Sequence, residues 1–586
     1  MPRVSNWTSK PHYTMRKVWI LGILLVIASA CTKQYDVVIV GGTPGGIMSA
    51  ISASRMGHSV LLLERSSTIG GLPANGLGAT DIATRGATTG LFLEFVNRVK
   101  DHYVQTYGAD SQQVKDCSSG YHFEPSVAQM VFQQMLAECR GITIRTMRQF
   151  DSDPSRLSLK DGRIEEILVT DRNTGRQERC KGKIFIDATY EGDLGAAAGV
   201  PFRIGREGMD ELHEPIAGKV YKYWGGPVGP GTTYEADGTI QAYNYRLCLT
   251  QDTANQVPFR KPERYDRNEY VSLVDDILYG YHTGVKSLEV TPQMREANRD
   301  TILAGGRTLI PDDRWGIHKV TNMVRLPNGK TDANNQHMAF ISTDLPEENQ
   351  LWPTASWEWR DAFAQRLRDY TEGLFWFAGH DEAVPEQFRK EVLSWGYAAD
   401  EYPDNGNFPR QVYVREGRRF EGMYFFTAND AQDPGERGPV HRDGITASHY
   451  ALDSHAHHKR EAGRIHLDGF LSFRTRVYNV PYGVIVPREV SNLLLPVPVS
   501  GSHIGFSTLR MEPCWMALGQ AAGTAAALAI DTHTTVQELS VPLLQDELLK
   551  QGATLVYMPG HSPADADFIA LQKEALAQAT ESGGLE

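Results

Sequence analysis

The sharpest alternation of apolar and polar positions in this chain lies between Tyr35 and Glu64. An apolar run from Val37 to Val40 leads into Gly41-Gly42-Thr43-Pro44-Gly45-Gly46. Small and apolar residues then continue to about Gly57, and a second apolar run, Ser59 to Leu63, ends on Glu64. Short unbroken apolar runs bounded by turn residues predict buried parallel strands, and the small-residue stretch between them predicts a helix. Strand, glycine turn, helix, strand and terminal acid, in this order, form a dinucleotide-binding unit. Gly41 permits the tight turn, the amides at the helix N-terminus offer donors to a pyrophosphate, and Gly46 lets the helix lie close to the strand. The Glu64 carboxylate can accept from ribose hydroxyls. Thr43 stands where the GxGxxG pattern has its middle glycine, so its side chain must turn away from the pyrophosphate.

Beyond Glu64 the segment Ile69 to Asp81 is rich in glycine (Gly70, Gly71, Gly76, Gly78) and ends in Thr80-Asp81. Helices are predicted at about Leu91 to Tyr107 and at about Val127 to Cys139, and a strand at Ile142 to Arg145. Turn signals at Asp161-Gly162 and Asn173-Thr174-Gly175 then mark a three-stranded meander, with Arg163 to Asp171 as its best strand. It closes in a buried strand that runs into Ala188-Thr189. From about 208 to 479 the texture changes: βαβ signals fade, Pro, Asn and Asp turns multiply, and seven of the ten tryptophans appear. This region reads as a mixed α+β insertion. Nucleotide-domain character returns with an apolar strand at Asn492 to Val497, a glycine turn at Ser500 to Gly505, and a small-residue helix from Met516 to Ala529.

A glycine-rich first βαβ unit, a meander, and a strand ending in Ala188-Thr189 resemble the FAD-dependent oxidoreductases with a glutathione-reductase-like nucleotide domain. The continuation Tyr190-Glu191-Gly192-Asp193-Leu194 is similar to one subgroup of that family, whose secreted members are often labelled xanthan lyase. Segments 246–250, 330–335, 414–422 and 449–455 resemble it as well. The resemblance implies an α/β fold: a Rossmann-like FAD-binding domain, parallel sheet plus β-meander, with an inserted α+β cap. The expected boundaries are 35–207 and 480–558 for the FAD domain, 208–479 for the cap, and 559–586 for a polar tail. It also implies FAD contacts from Gly41 to Gly46, Glu64, Gly70, Gly71, Gly78, Thr80, Asp81, Ala188 and Thr189. The late helix would point its N-terminus at the flavin, and Gly519, Gln520 and Gly523 would serve close packing on the cofactor or sheet.

An N-terminal signal changes the picture of where this enzyme works. Met15-Arg16-Lys17 is basic, Val18 to Ile27 is apolar or glycine, and Ala28-Ser29-Ala30 precedes Cys31. At roughly thirteen residues the apolar run is short for a span and reads as a signal peptide. Residues 1–31 are therefore expected to be an export signal, with Cys31 resembling a lipidated residue that attaches the chain to a membrane. Net charge is −12 over 586 residues with 41% apolar content. The acidic balance argues against nucleic acid as a partner. Six cysteines without a CxxC pair argue against a dithiol mechanism and a structural zinc.

Candidate chemistry gathers near the C-terminal return. His503 can exchange protons near neutral pH, and Arg510 can hold an anionic or hydroxylated substrate or balance reduced flavin. Asp453 and His455 are further catalytic candidates from the cap. Glu512 is expected to pair with an arginine, and Arg418 and Arg419 to bind substrate or form salt bridges within the cap. His455, His457 and His458 lack a metal-ligand spacing, so no metal site is expected. The leading reading is an exported enzyme that transfers a hydride from a small, carbohydrate-like substrate to FAD, with an unidentified electron acceptor. Two alternatives stay open: a redox-neutral lyase or isomerase acting on polysaccharide, and a surface lipoprotein that binds carbohydrate and holds FAD structurally.

Overall fold

The computed structural model describes residues 33–432 and 440–579; the expected export signal, residues 1–31 with Cys31, lies outside the described residues. Strands β1 (Gln34–Val40), β2 (Val60–Leu63), β3 (Ile142–Arg145), β4 (Leu157–Lys160), β5 (Arg163–Asp171) and β6 (Gln177–Asp187) belong to one sheet. The order β3-β2-β1-β6 is parallel, with Val37 opposite Val60 on one side and Ile184 on the other. The outer edge of β6 is shared. Its first half pairs antiparallel with β5 of the meander, and Phe185 and Ile186 pair parallel with Leu493 and Leu494. The C-terminal apolar strand therefore returns to complete the sheet.

Strict alternation along β1 splits the interior into two cores. Val37 and Ile39 face the core that holds helix α1 (Pro44–Arg55), while Val38 and Val40 face the one that holds the meander and Phe420. The first core continues without a break into the insertion, through Leu249, Phe363, Leu374 and Phe388. Within the insertion, β7 (Leu247–Thr250), β8 (Thr321–Arg325), β9 (Lys330–Asn335) and β10 (Gly396–Ala398) form an antiparallel sheet with the short strand Gln256–Val257. The 24-residue helix α2 (Trp357–His380) packs beside it, capped by Ser356.

Helices α3 (His503–Leu509) and α4 (Glu512–Thr532) follow the returning strand. Helix α4 is apolar and long enough to cross a membrane, yet 94% of that window is buried in the protein. Its small residues serve contact with α1. A Cβ on Gly519 would lie 2.1 Å from Gly45 O, and one on Gly523 would lie 2.2 Å from Ser49 O. Ser49 Oγ donates to Gly519 O at 2.8 Å. Gln520 points elsewhere again, its Oε1 accepting from Leu91 N at 2.8 Å at the start of the helix Leu91–Tyr107. Within the protein, Gly519 and Gly523 let α4 lie close on α1, and Gln520 caps the helix Leu91–Tyr107.

Arg418 and Arg419 form the expected salt bridges, Arg419 holding Glu416 within the insertion at 2.9 Å, and they also reach the nucleotide domain: Arg418 and Arg360 both hold Asp193, at 2.7 and 2.6 Å, and Arg419 holds Glu207 at 2.9 Å. Removing one partner of such a buried pair costs roughly 3–5 kcal/mol, because the other charge is stranded. The C-terminal segment is no plain polar tail. It carries the helix Phe568–Ala577, which buries Phe568 and Leu576, and its Gln572 accepts from Leu555 N and Val556 N at 2.9 Å each.

Candidate functional site

A cleft with about 920 Å³ of empty space opens at the C-terminal ends of β1 and β2. Gly41, Thr43, Glu64 and Thr189 line one side, and Trp352, Trp357, Val412 and Val414 of the insertion line the other. The turn works as its composition demands. Gly41 has φ +105°, and a Cβ there would meet Ala188 O at 2.6 Å. Thr43 caps α1: its hydroxyl donates to Ala188 O at 2.7 Å and accepts from Gly46 N at 3.2 Å. The side chain at the variant position is thereby turned toward β6, and the α1 N-terminus stays clear. Pro44 has no N–H, and the Thr43 and Gly45 amides have no protein acceptor among the described residues.

Glu64 accepts from Gly42 N at 2.7 Å and from Ser66 N at 2.6 Å, one bond to each oxygen. Each oxygen keeps lone-pair capacity for a hydroxyl donor. Free amides at a helix N-terminus, a turn without room for Cβ, and a positioned carboxylate in the same cleft fit a pyrophosphate-linked dinucleotide. Across the cleft, Arg65 lays its guanidinium 3.9 Å from the Trp357 ring centroid. Two of the insertion's tryptophans are therefore walls of the nucleotide cleft.

The glycine-rich loop divides in its roles. Gly70 and Gly71 have φ +115° and +51°, and a Cβ on Gly71 would lie 2.4 Å from the Tyr190 hydroxyl. Gly78 faces Phe123 O and Leu326, within the protein. The Thr80 hydroxyl is buried with no partner. Burial pushes the Asp81 carboxyl up to about 6, against the pull of the neighbouring Arg246. Glu512, at the start of α4, binds Tyr190 Oη at 2.6 Å in place of the expected arginine, and burial pushes its carboxyl up to about 8.

Beside this loop runs a row of buried polar side chains. Arg415 pairs with Asp344 Oδ1 at 2.9 Å, and Asp344 Oδ2 lies 2.8 Å from His455 Nδ1. His455 Nε2 is 3.6 Å from Asp453 Oδ1, and Asp453 Oδ2 is 3.2 Å from Arg510. Arg510 donates to the Tyr413 hydroxyl at 2.7 Å, and Tyr450 Oη donates to Asp81 Oδ1 at 3.3 Å. The fold thus joins three expected residues, His455, Asp453 and Arg510, and supplies Asp344, Arg415 and Tyr413. Burial, and then Arg415, hold His455 below its ordinary pKa. Burial alone would raise the Asp344 carboxyl, yet Arg415 and His455 hold it low.

His503 sits apart from the row. Its Nδ1 lies 2.8 Å from Glu416 Oε2 and its Nε2 3.3 Å from Ser454 Oγ, so both ring nitrogens are engaged. His458 lies with Asp237 and Asp468 in a group whose ligand atoms fall within 4.8 Å, but both aspartates already hold Arg206. The guanidinium supplies the charge that a cation would.

A protein-family model described as FAD dependent oxidoreductase matches residues 36–548. No curated protein matches the chain. Solved structures similar to part of it include the flavin-dependent monooxygenase PieE in complex with FAD and substrate, 18% identical at a TM-score of 0.21. That match covers 30% of this chain and 33% of the other. The glycerol-3-phosphate dehydrogenase from Bacillus halodurans complexed with FAD is 12% identical at a TM-score of 0.20, over 30% and 39% of the two chains. The chain therefore spans about a third of the length of the first and about two fifths of the second. The family match extends over most of the sequence and includes both halves of the split nucleotide domain: this chain belongs to the FAD-dependent oxidoreductase family, and FAD is its cofactor.

Proposed function

We propose that this enzyme oxidises a hydroxyl-bearing carbon of a small organic substrate, with His455 as the base. Bound FAD supplies the two-electron acceptor for the hydride. The observation that carries the reading is the buried row Arg415–Asp344–His455–Asp453–Arg510. A carboxylate at Nδ1 selects the tautomer that donates to Asp344 and leaves a lone pair on Nε2. With its pKa lowered, His455 is neutral at pH 7 and free to take a proton. Asp453 Oδ1 is buried without a donor, and it faces Nε2 across 3.6 Å. A substrate hydroxyl is a donor of the kind both atoms lack. As its proton passes to Nε2, the Asp344 carboxylate offsets the new charge, and Arg510 offsets that of Asp453.

This arrangement favours His455 over His503, whose two nitrogens are occupied. We also propose export and attachment through Cys31, which Cys31→Ser would abolish in a membrane fractionation. The acceptor that takes the electrons onward is assigned to a quinone, oxygen or a protein, since the sequence has no second GxGxxG unit for a nicotinamide. Anaerobic mixing of the yellow enzyme with glucose, cellobiose and glucuronate tests the chemistry. Loss of the absorption band near roughly 450 nm supports oxidation. Unsaturated product with the band intact would show elimination instead, and binding without either change would leave FAD a structural role.

A further inference from the structure

A second cavity, with about 950 Å³ of empty space, lies inside the insertion. Asp344 is part of its wall, and this carboxylate is the one bonded to His455 Nδ1. Phe470 also lines it, and its ring centroid is 5.5 Å from that of His455. The cavity is thus one side chain removed from the base.

Its lining has two characters. Phe340, Phe470 and Tyr370 offer apolar faces, while Asn335, Ser342 and Ser272 offer hydrogen-bonding groups. The Asn335 side chain is buried in the cavity wall and has no protein partner among the described residues. Charge decides between neutral and acidic occupants. Each charged residue on the wall already has an opposite charge close by: Lys459 with Glu348 at 2.9 Å, Arg460 with Asp276 at 3.0 Å, Glu269 with Arg366 at 2.6 Å, and Asp344 with Arg415 at 2.9 Å. Arg460 is further occupied by stacking on Phe340, 3.8 Å from its centroid. An acidic ligand would find no unpaired cation here, and its carboxylate would be desolvated without compensation.

We infer that this cavity is a binding site for a neutral polyhydroxylated ring compound, separated from the base by Asp344. Such a molecule places its C–H face on the aromatic rings and its hydroxyls on Asn335 and Ser342. The inference stands on the cavity's lining and goes beyond the assignment of His455 as the base.

Titration of the FAD-loaded full chain with glucose, cellobiose and glucuronate, followed by calorimetry or saturation-transfer NMR, tests it. A neutral sugar binds and glucuronate does not. Asn335→Leu and Ala339→Leu each weaken that binding at least tenfold, with the flavin spectrum and melting temperature of each variant used to confirm its fold. Glucuronate binding in preference to both neutral sugars, or neutral-sugar binding indifferent to both variants, overturns the inference. The two readings fail separately. If neutral sugars bleach the flavin equally well in the cavity variants but not in His455→Gln, the cavity is wrong and the base is right. If they bind in the cavity without bleaching, the proposed oxidation fails and the cavity stands.

Discussion

Asp344 Oδ2 lies 2.8 Å from His455 Nδ1, and these two residues come from segments 111 positions apart. The carboxylate fixes which ring nitrogen carries the proton, so in the proposed oxidation Asp344 acts by positioning the base. The base must be unprotonated, and burial with Arg415 holds its pKa below the ordinary 6.5. The rate of flavin reduction is therefore flat near neutral pH and falls as pH drops through the lowered pKa of His455. Asp344→Asn removes a charge that raises the His455 pKa, so the acid limb moves lower still. The plateau rate falls by ~10²–10⁴ as the wrong tautomer becomes accessible. A pH series of anaerobic reduction rates for the two proteins checks both effects.

Glu64 is the residue of the cleft best placed to accept from a sugar hydroxyl. Glu64→Ala removes an acceptor for two donors, which at ~1–3 kcal/mol weakens FAD binding by roughly 5–150-fold. Titration of the apoprotein with FAD, read by flavin fluorescence, measures it. The fold should persist, since Glu64 lies at the end of β2 and holds only the amides of Gly42 and Ser66.

Glu512 links pH to stability. Its carboxyl is raised by burial from an ordinary 4.5 to about 8. Between these values the folded protein keeps a proton that the unfolded chain has released, so stability falls as pH rises through the window. Glu512→Gln, which stays neutral at every pH, removes this contribution to the slope. Urea melts at pH 5 and pH 8 are expected to differ less for the variant than for the parent.

The local unit was readable because every part of it is encoded within a few residues. Apolar runs gave β1 and β2, Gly41 and Gly46 marked positions where a Cβ has no room, and Glu64 ended a strand. The meander announced itself through its two turns. Long-range partners left no such trace. Asp344 stands in Ile341-Ser342-Thr343-Asp344-Leu345-Pro346, which has neither a helical nor a strand period, and nothing nearby signals that Arg415 and His455 will meet it. Glu512 pairs with Tyr190, 322 positions away. Gly519 and Gly523 show a different limit, since a small-residue helix face looks the same whether a cofactor or another helix lies against it. At the C-terminus the polar average of 559–586 hid Phe568 and Leu576, which are enough to dock one helix.

In the proposed reaction His455 takes the proton that leaves as the substrate is oxidised. The most direct test is the single-turnover rate of anaerobic flavin reduction in wild type and His455→Gln, at equal FAD content and with a sugar that bleaches the wild type. Loss of a general base is expected to slow the step ~10²–10⁴-fold. Reduction of His455→Gln within twofold of the wild-type rate would mean that His455 is not the base.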